Sequence, residues 1–348
     1  MGFSVSSLQK GLVLPALFCC VIGLLACSEQ PEFELWQLQG QTMGTTYHAK
    51  LVVKPEVDLE QEQLQQQLDA LLVEINQSMS TYISDSELSR FNRAAVGEPF
   101  TVSTGLCEVL SDAGEIYHSS NRAFDPTVGP LVNLWGFGPE DRSAVPSAAE
   151  RQSAMNQIGF DALGIHCDES YILKNKALYV DLSAIAKGWA VDKLAQHFDS
   201  LGLVDYMVEI GGELRLSGVN GRSSNWRIAV EKPILGQGSA AQVLSLTDVA
   251  VATSGDYRNY IERDGERFSH TLNPQTGMPI THKLASVTVV TETCSKADAW
   301  ATALNVIGPD AGFELAEKEG LAAYFIVREG DDFGVRYTQA FEQYMVKL

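Results

Sequence analysis

The dipeptide Gly211-Gly212, set between the runs Tyr206–Ile210 and Glu213–Val219, constrains the fold of this chain more than any other feature. A two-residue turn between paired strands needs positive φ, which glycine adopts without steric cost, so the pattern predicts a β-hairpin and an antiparallel pairing. Further strands are predicted at Trp226–Val230, Ala241–Leu246, Ser286–Thr291 and Leu321–Val327, with a short one at 177–181. Helical patterns lie between them. Leu64, Leu68, Leu71, Leu72 and Ile75 recur at helical spacing within 59–78, where the glutamines form the solvated face, and 104–119 and 148–158 read as further helices. Helices and antiparallel strands intermix without the regular βαβ alternation of a doubly wound sheet, so the fold class is α+β, with mixed, largely antiparallel sheets and packed helices. No linker, composition break or short-period repeat divides the chain, and 45% hydrophobic residues over 348 positions suffice for a sizeable core.

The N-terminus carries a separate signal. Lys10 precedes an apolar run from Gly11 to Leu25, and Leu24-Leu25-Ala26-Cys27 has the form of a bacterial lipobox. The expected product is cleavage before Cys27 and lipid attachment to its thiol, with residues 1–26 as signal peptide and 27–35 as a short tether. A full membrane span needs a longer apolar run, and Pro15 interrupts this one. The expected location is the bacterial cell envelope, lipid-anchored and facing the periplasm; Ser28 after the cysteine permits outer-membrane sorting. Without the signal the chain keeps 24 basic against 44 acidic residues. That balance argues against nucleic-acid binding, since phosphate backbones recruit basic faces. Cys107, Cys167 and Cys294 remain beside Cys27, an odd set without metal-ligand spacing; a disulfide among them is compatible with an oxidising compartment, and the sequence does not select the pair.

Three segments carry chemistry. In DLSAIAKGWAVD, Asp181 to Asp192, Ser183 is predicted to cap a helix burying Ile185, Trp189 and Leu194, and the free N–H groups of the helix start suit an anion. Lys187 falls in the first turn, where positive charge opposes the helix dipole, so its placement points to a nearby anion; a capped surface helix with a solvated lysine gives the same pattern. In SKADAWATAL, Asp298 and Thr302 are four residues apart, stack on one helix face and present oxygens to a hard cation such as Mg²⁺, unless they cap and decorate the helix. In SHTLNPQTGMPI, Asn273-Pro274 and Thr276-Gly277 mark a tight loop that holds His270 at its mouth. A lone histidine is more often structural, but beside a phosphate and a cation it suits a general base.

Together with QTMGTTY (41–47), MSTYISDSELSRFN (79–92), AFDPTVGPL (123–131), EIGGELRLSG (209–218) and ATSGDYRNY (252–260), these segments resemble the ApbE family of FAD:protein FMN transferases, in the family's order from about Gln41 to the C-terminus. The resemblance implies one ApbE-like, T-fold-like domain over 36–348. It implies a flavin nucleotide contacted by Met43, Tyr82, Ala123, Phe124, Asp125, Asp181, Lys187, Ser254, Gly255, Asp256, His270 and Leu272. Met43 and Tyr82 suit an aromatic ring by sulfur contact and stacking, while Asp125 and Asp181 serve equally as hydrogen-bond acceptors or as structural caps. The implied Mg²⁺ ligands are Asp298, Thr302 and the backbone carbonyl of Ala184; the family often has glycine where this chain has Ser183 and Ala184, but a carbonyl ligand does not require it. The implied reaction moves FMN from FAD to a Ser or Thr hydroxyl of a target protein, releasing AMP, with His270, Lys187 and Asp298 as catalytic residues. The implied targets are subunits of membrane redox complexes of the Na⁺-translocating quinone reductase or Rnf type. The same site fed with water is an FAD pyrophosphatase, and without chemistry it is a flavin-binding lipoprotein.

Overall fold

Hairpins joined edge to edge build the main sheet. In the computed structural model, which describes residues 33–347 apart from 140, 141, 143, 234–239, 256–259, 264 and 265, with backbone alone at 260–263, 266 and 267, eight strands follow one another antiparallel. Their spatial order is Glu34–Thr42, Thr45–Val53, Tyr206–Ile210, Glu213–Ser217, Val249–Gly255, Leu284–Thr291, Ala322–Glu329 and Asp332–Tyr337. The Gly211-Gly212 turn closes its hairpin as expected, with Ile210 paired to Glu213 and φ of 60° and 109° at the two glycines. The calls on Cys27, the signal peptide and Asp256 lie outside the described residues.

Strand periodicity sorts the inner half of the sheet into two faces. Ala250, Ala252, Val287, Val289, Ala323 and Phe325 join the main core, which the helices cover. Val251, Val290, Tyr324 and Ile326 point the other way, into a second core closed by the hairpin Trp226–Glu231 with Ala240–Leu246 and by Phe341. The helix Gln61–Met79 buries Leu64, Leu68, Leu72 and Ile75 as its spacing requires, and Thr104–Ser119 is helical throughout. The third predicted helix stops at Met155 behind a Ser147–Glu150 capping box.

Two helices on the main-core side position the site. Ala186–Ser200 crosses Cys294–Ile307 at Gly188, where a Cβ would stand 2.2 Å from the carbonyl oxygen of Cys294. Only glycine permits this approach. Thr293, at the cap position of the second helix, makes no side-chain cap. Instead the Asp192 carboxylate of the first helix accepts from the N–H groups of Cys294 and Ser295, both at 2.8 Å.

Several expectations change. Residues 177–181 are not a strand: Asn92 brackets Val180 with two side-chain hydrogen bonds of 2.8 Å, and Asp181 N–H donates to the Pro126 carbonyl at 2.7 Å. Ser183 is not the helix cap, because the helix begins at Ala186 behind Ile185, and Ser183 N–H is held by Asp181 Oδ1 at 2.8 Å. The first hairpin turns at Met43-Gly44, with Met43 at φ 49°. The cysteine pairing resolves as Cys107–Cys167, with Cys294 free and buried. Among the described residues no helix is long and apolar enough to cross a membrane.

Candidate active site

The Gly188 crossing gathers charge that neither helix holds alone. Lys187 Nζ lies 3.4 Å from Glu213 Oε1, on the strand after the Gly-Gly turn, and 3.8 Å from Asp298 Oδ2 on the opposite helix. Burial alone would lower the Lys187 pKa, but the two carboxylates carry it above its ordinary value. Burial pushes the Glu213 and Asp298 carboxyls up against the pull of the same lysine. The anion that Lys187 pointed to in the sequence is thus, in the first place, the protein's own pair of acids. The helix start is also less open than expected: the Ile185 and Ala186 N–H groups return to the Leu182 carbonyl.

Gly188 N–H, which a regular helix directs to the carbonyl four residues back, instead donates to Asp298 Oδ2 at 3.1 Å. Asp298 and Thr302 share a helix face and so bring together a carboxylate and a hydroxyl, both hard oxygen donors, to which the implied Ala184 carbonyl would add a third. That set fits Mg²⁺, which takes few protein ligands and completes its octahedron with water and phosphate. It does not resemble a soft-metal site, and the described residues hold no group of three His, Cys, Asp or Glu placed to bind a metal.

The same helix face continues to Asn305, which is fully buried. Its Nδ2 donates to Ser254 Oγ and Thr271 Oγ1, both at 3.2 Å, fastening the end of Val249–Gly255 and the residue after His270 to the helix of Asp298. Gly255 pairs with Ser286 at that strand end. His270 is half-buried at the mouth of the predicted loop: Leu272–Asn273 pairs with Met278–Pro279, and Thr276 and Gly277 N–H return to the Asn273 carbonyl. The His270 ring stands edge-on to Phe137 with centroids 6.5 Å apart. Tyr82, 68% exposed, donates its hydroxyl to the Phe137 carbonyl at 3.4 Å. Partial burial and then the charge of Asp181 raise the Tyr82 phenol above its ordinary value.

Asp125 and Asp181 both serve as local caps. Asp125 Oδ1 accepts from Thr127 N–H and Oγ1–H at 2.8 and 2.5 Å, and Asp181 Oδ1 accepts from Ser183. The Pro126–Asp181 bond ties the AFD segment to the junction, while Ala123, Phe124 and Leu272 are buried. Met43 packs partly buried against the main core at its turn; beside it Gly211 N–H bonds the Thr46 carbonyl, so the two hairpin tips meet next to Glu213. The sequence reading passed over Glu213, Asn305 and Phe137. Two of these had a signal: an acid at an inward strand position, and a third polar residue at i, i+4, i+7 on an otherwise apolar helix.

A profile of the ApbE family matches residues 43–325. An FAD:protein FMN transferase of Vibrio cholerae is 45% identical over 326 residues, covering 93% of this chain and 96% of the relative. The solved flavin transferase ApbE of Vibrio cholerae superposes with a TM-score of 0.83 at 44% identity, over 90% of this chain and all of that one. The apo flavinyl transferase ApbE of Pseudomonas stutzeri gives a TM-score of 0.82 at 40% identity, over 90% and 97% of the two chains.

Proposed function

The chain belongs to the ApbE family, and from that premise we propose that it transfers FMN from FAD to a Ser or Thr hydroxyl of a target protein in a Mg²⁺-dependent reaction that releases AMP. The acceptor oxygen forms a bond to the phosphorus of the FMN half; the bond from that phosphorus to the bridging oxygen breaks, and AMP leaves with the electron pair. The acceptor proton passes to a ring nitrogen of His270. Lys187, in reach of the junction, shares the charge that develops on the leaving pyrophosphate oxygens. Mg²⁺, when bound by Asp298, Thr302 and the Ala184 carbonyl, supplies neutralisation of those oxygens. Tyr82 and Met43 border the flavin, and the caps at Asp125 and Asp181 hold the loops around it.

The observation that carries this reading is the ion pair of Lys187 with the buried Asp298 at the Gly188 crossing, linked through Asn305 to the segment of His270. A storage protein has no need of a metal-centred set of this kind. The lipobox at Cys27 supports anchoring in the cell envelope with the enzyme facing the periplasm, and the Cys107–Cys167 disulfide supports an oxidising compartment. Membrane redox subunits of the Na⁺-translocating quinone reductase or Rnf type are the proposed acceptors.

Intact-protein mass spectrometry of an acceptor domain incubated with the enzyme, FAD and Mg²⁺ tests the reading. A gain of one FMN unit with equal AMP is expected, slowed about 10²–10⁴-fold by His270→Ala. AMP and free FMN without acceptor gain would show a pyrophosphatase instead, and an unslowed His270→Ala would remove the histidine from its role.

A further inference from the structure

Glu213 has no part in the transfer just described, yet its side chain is 7% exposed and lies against the reaction's lysine. Only one of its oxygens is used: Oε1 faces Lys187, while the buried Oε2 has no hydrogen-bond partner among the described residues. A buried acid so poorly satisfied costs stability and calls for a compensating role. The distances indicate one. Lys187 Nζ is closer to Glu213 than to Asp298, 3.4 against 3.8 Å, so the ammonium is drawn away from the carboxylate that belongs to the cation site. The charges agree: with both acids ionised, one lysine leaves the cluster with one net negative charge for a cation to take up, whereas Lys187 with Asp298 alone would be a closed pair from which a cation must displace an ammonium.

We propose that Glu213 is a positioning residue that holds Lys187 off Asp298 and so keeps Asp298 available to a divalent cation. The proposal rests on the Mg²⁺ reading above. It makes Lys187 a shared group, parked on Glu213 when the cation is on Asp298 and free to lean toward phosphate oxygens from there.

Mn²⁺ alone is the probe, with free ion measured by electron paramagnetic resonance against the whole enzyme lacking only its signal peptide. Glu213→Gln keeps the shape and removes the charge; Mn²⁺ affinity is expected to fall at least about tenfold, as loss of a unit charge within a few ångströms demands. Adding Lys187→Met to that variant removes the ammonium as well and should return affinity to within about threefold of the parent. A merely structural glutamate would not be rescued by deleting its partner. Equal Mn²⁺ affinity in the parent and in Glu213→Gln, or no recovery in the double variant, would overturn the proposal while leaving the cation site standing. No Mn²⁺ binding by the parent would overturn the cation site itself.

Discussion

Both faces of the inner half of the central sheet are buried, but by different means. On one side Trp226, Leu216, Val251, Tyr324 and Phe341 make a core of large side chains, whose buried polar atoms are met locally, as where Trp226 Nε1–H donates to the Ser217 carbonyl at 2.8 Å. On the other, small residues such as Ala250, Ala252, Ala297 and Ala301 let helices settle close, and the closeness brings Glu213, Asp192 and Asp298 into the interior, with the partly exposed Lys187 against two of them. Strand Glu213–Ser217 shows the contrast within five residues: Leu214 and Leu216 serve the aromatic core, while Glu213 and Arg215 reach Lys187 and Asp192. The lesson is that one face supplies stability and the other holds groups whose charges are only partly compensated, as a site that must accept a charged ligand requires.

Substitutions can break that division. Phe341→Ala, on the aromatic face, should cost about 3–5 kcal/mol in urea unfolding and leave the transfer rate per folded molecule unchanged; a matching loss of rate would show that the faces are not separable. Gly188→Ala should cost about 1–3 kcal/mol, because its Cβ would meet the Cys294 backbone and force the helices apart; the movement separates Lys187 from Asp298, and transfer should disappear along with Mn²⁺ binding. Glu213→Gln should have the smallest effect on stability, visible in its dependence on pH. Because the folded state raises the Glu213 pKa above its ordinary 4.5, the glutamate's contribution is full below that value and is lost as pH rises through the raised one. Urea midpoints should therefore fall less steeply with pH in the variant than in the parent above pH 4.5. An identical slope would assign the pH dependence to other groups.

Local pattern carried a large part of the fold. The helix at 61–79 follows from leucine spacing, and the hairpin at Gly211-Gly212 from turn chemistry, because each is decided by neighbours in sequence. The Met43-Gly44 turn was hidden, since a methionine at positive φ gives no signal of the kind glycine gives. Residues 177–181 read as a strand in sequence, but Val180 bonds the side chain of Asn92, brought in from a distant helix, instead of a neighbouring strand. The site was legible in its members more than in its wiring. Lys187, Asp298, Thr302 and His270 stood out by type and spacing; that Lys187 answers to Glu213, that Asp192 caps the helix of Asp298, and that Asn305 ties that helix to the His270 segment depend on tertiary contacts across 26 to 111 positions of chain, beyond any local pattern.

Asp298 is where the buried charge of the helical face would meet the proposed reaction. The most direct test is the initial rate of FMN addition to an acceptor domain, followed by intact mass, for Asp298→Asn against the parent at saturating FAD and Mg²⁺. Loss of about 100-fold or more, with the unfolding midpoint retained, is the predicted result. Transfer at the parental rate would contradict it and place the reaction centre elsewhere in the molecule.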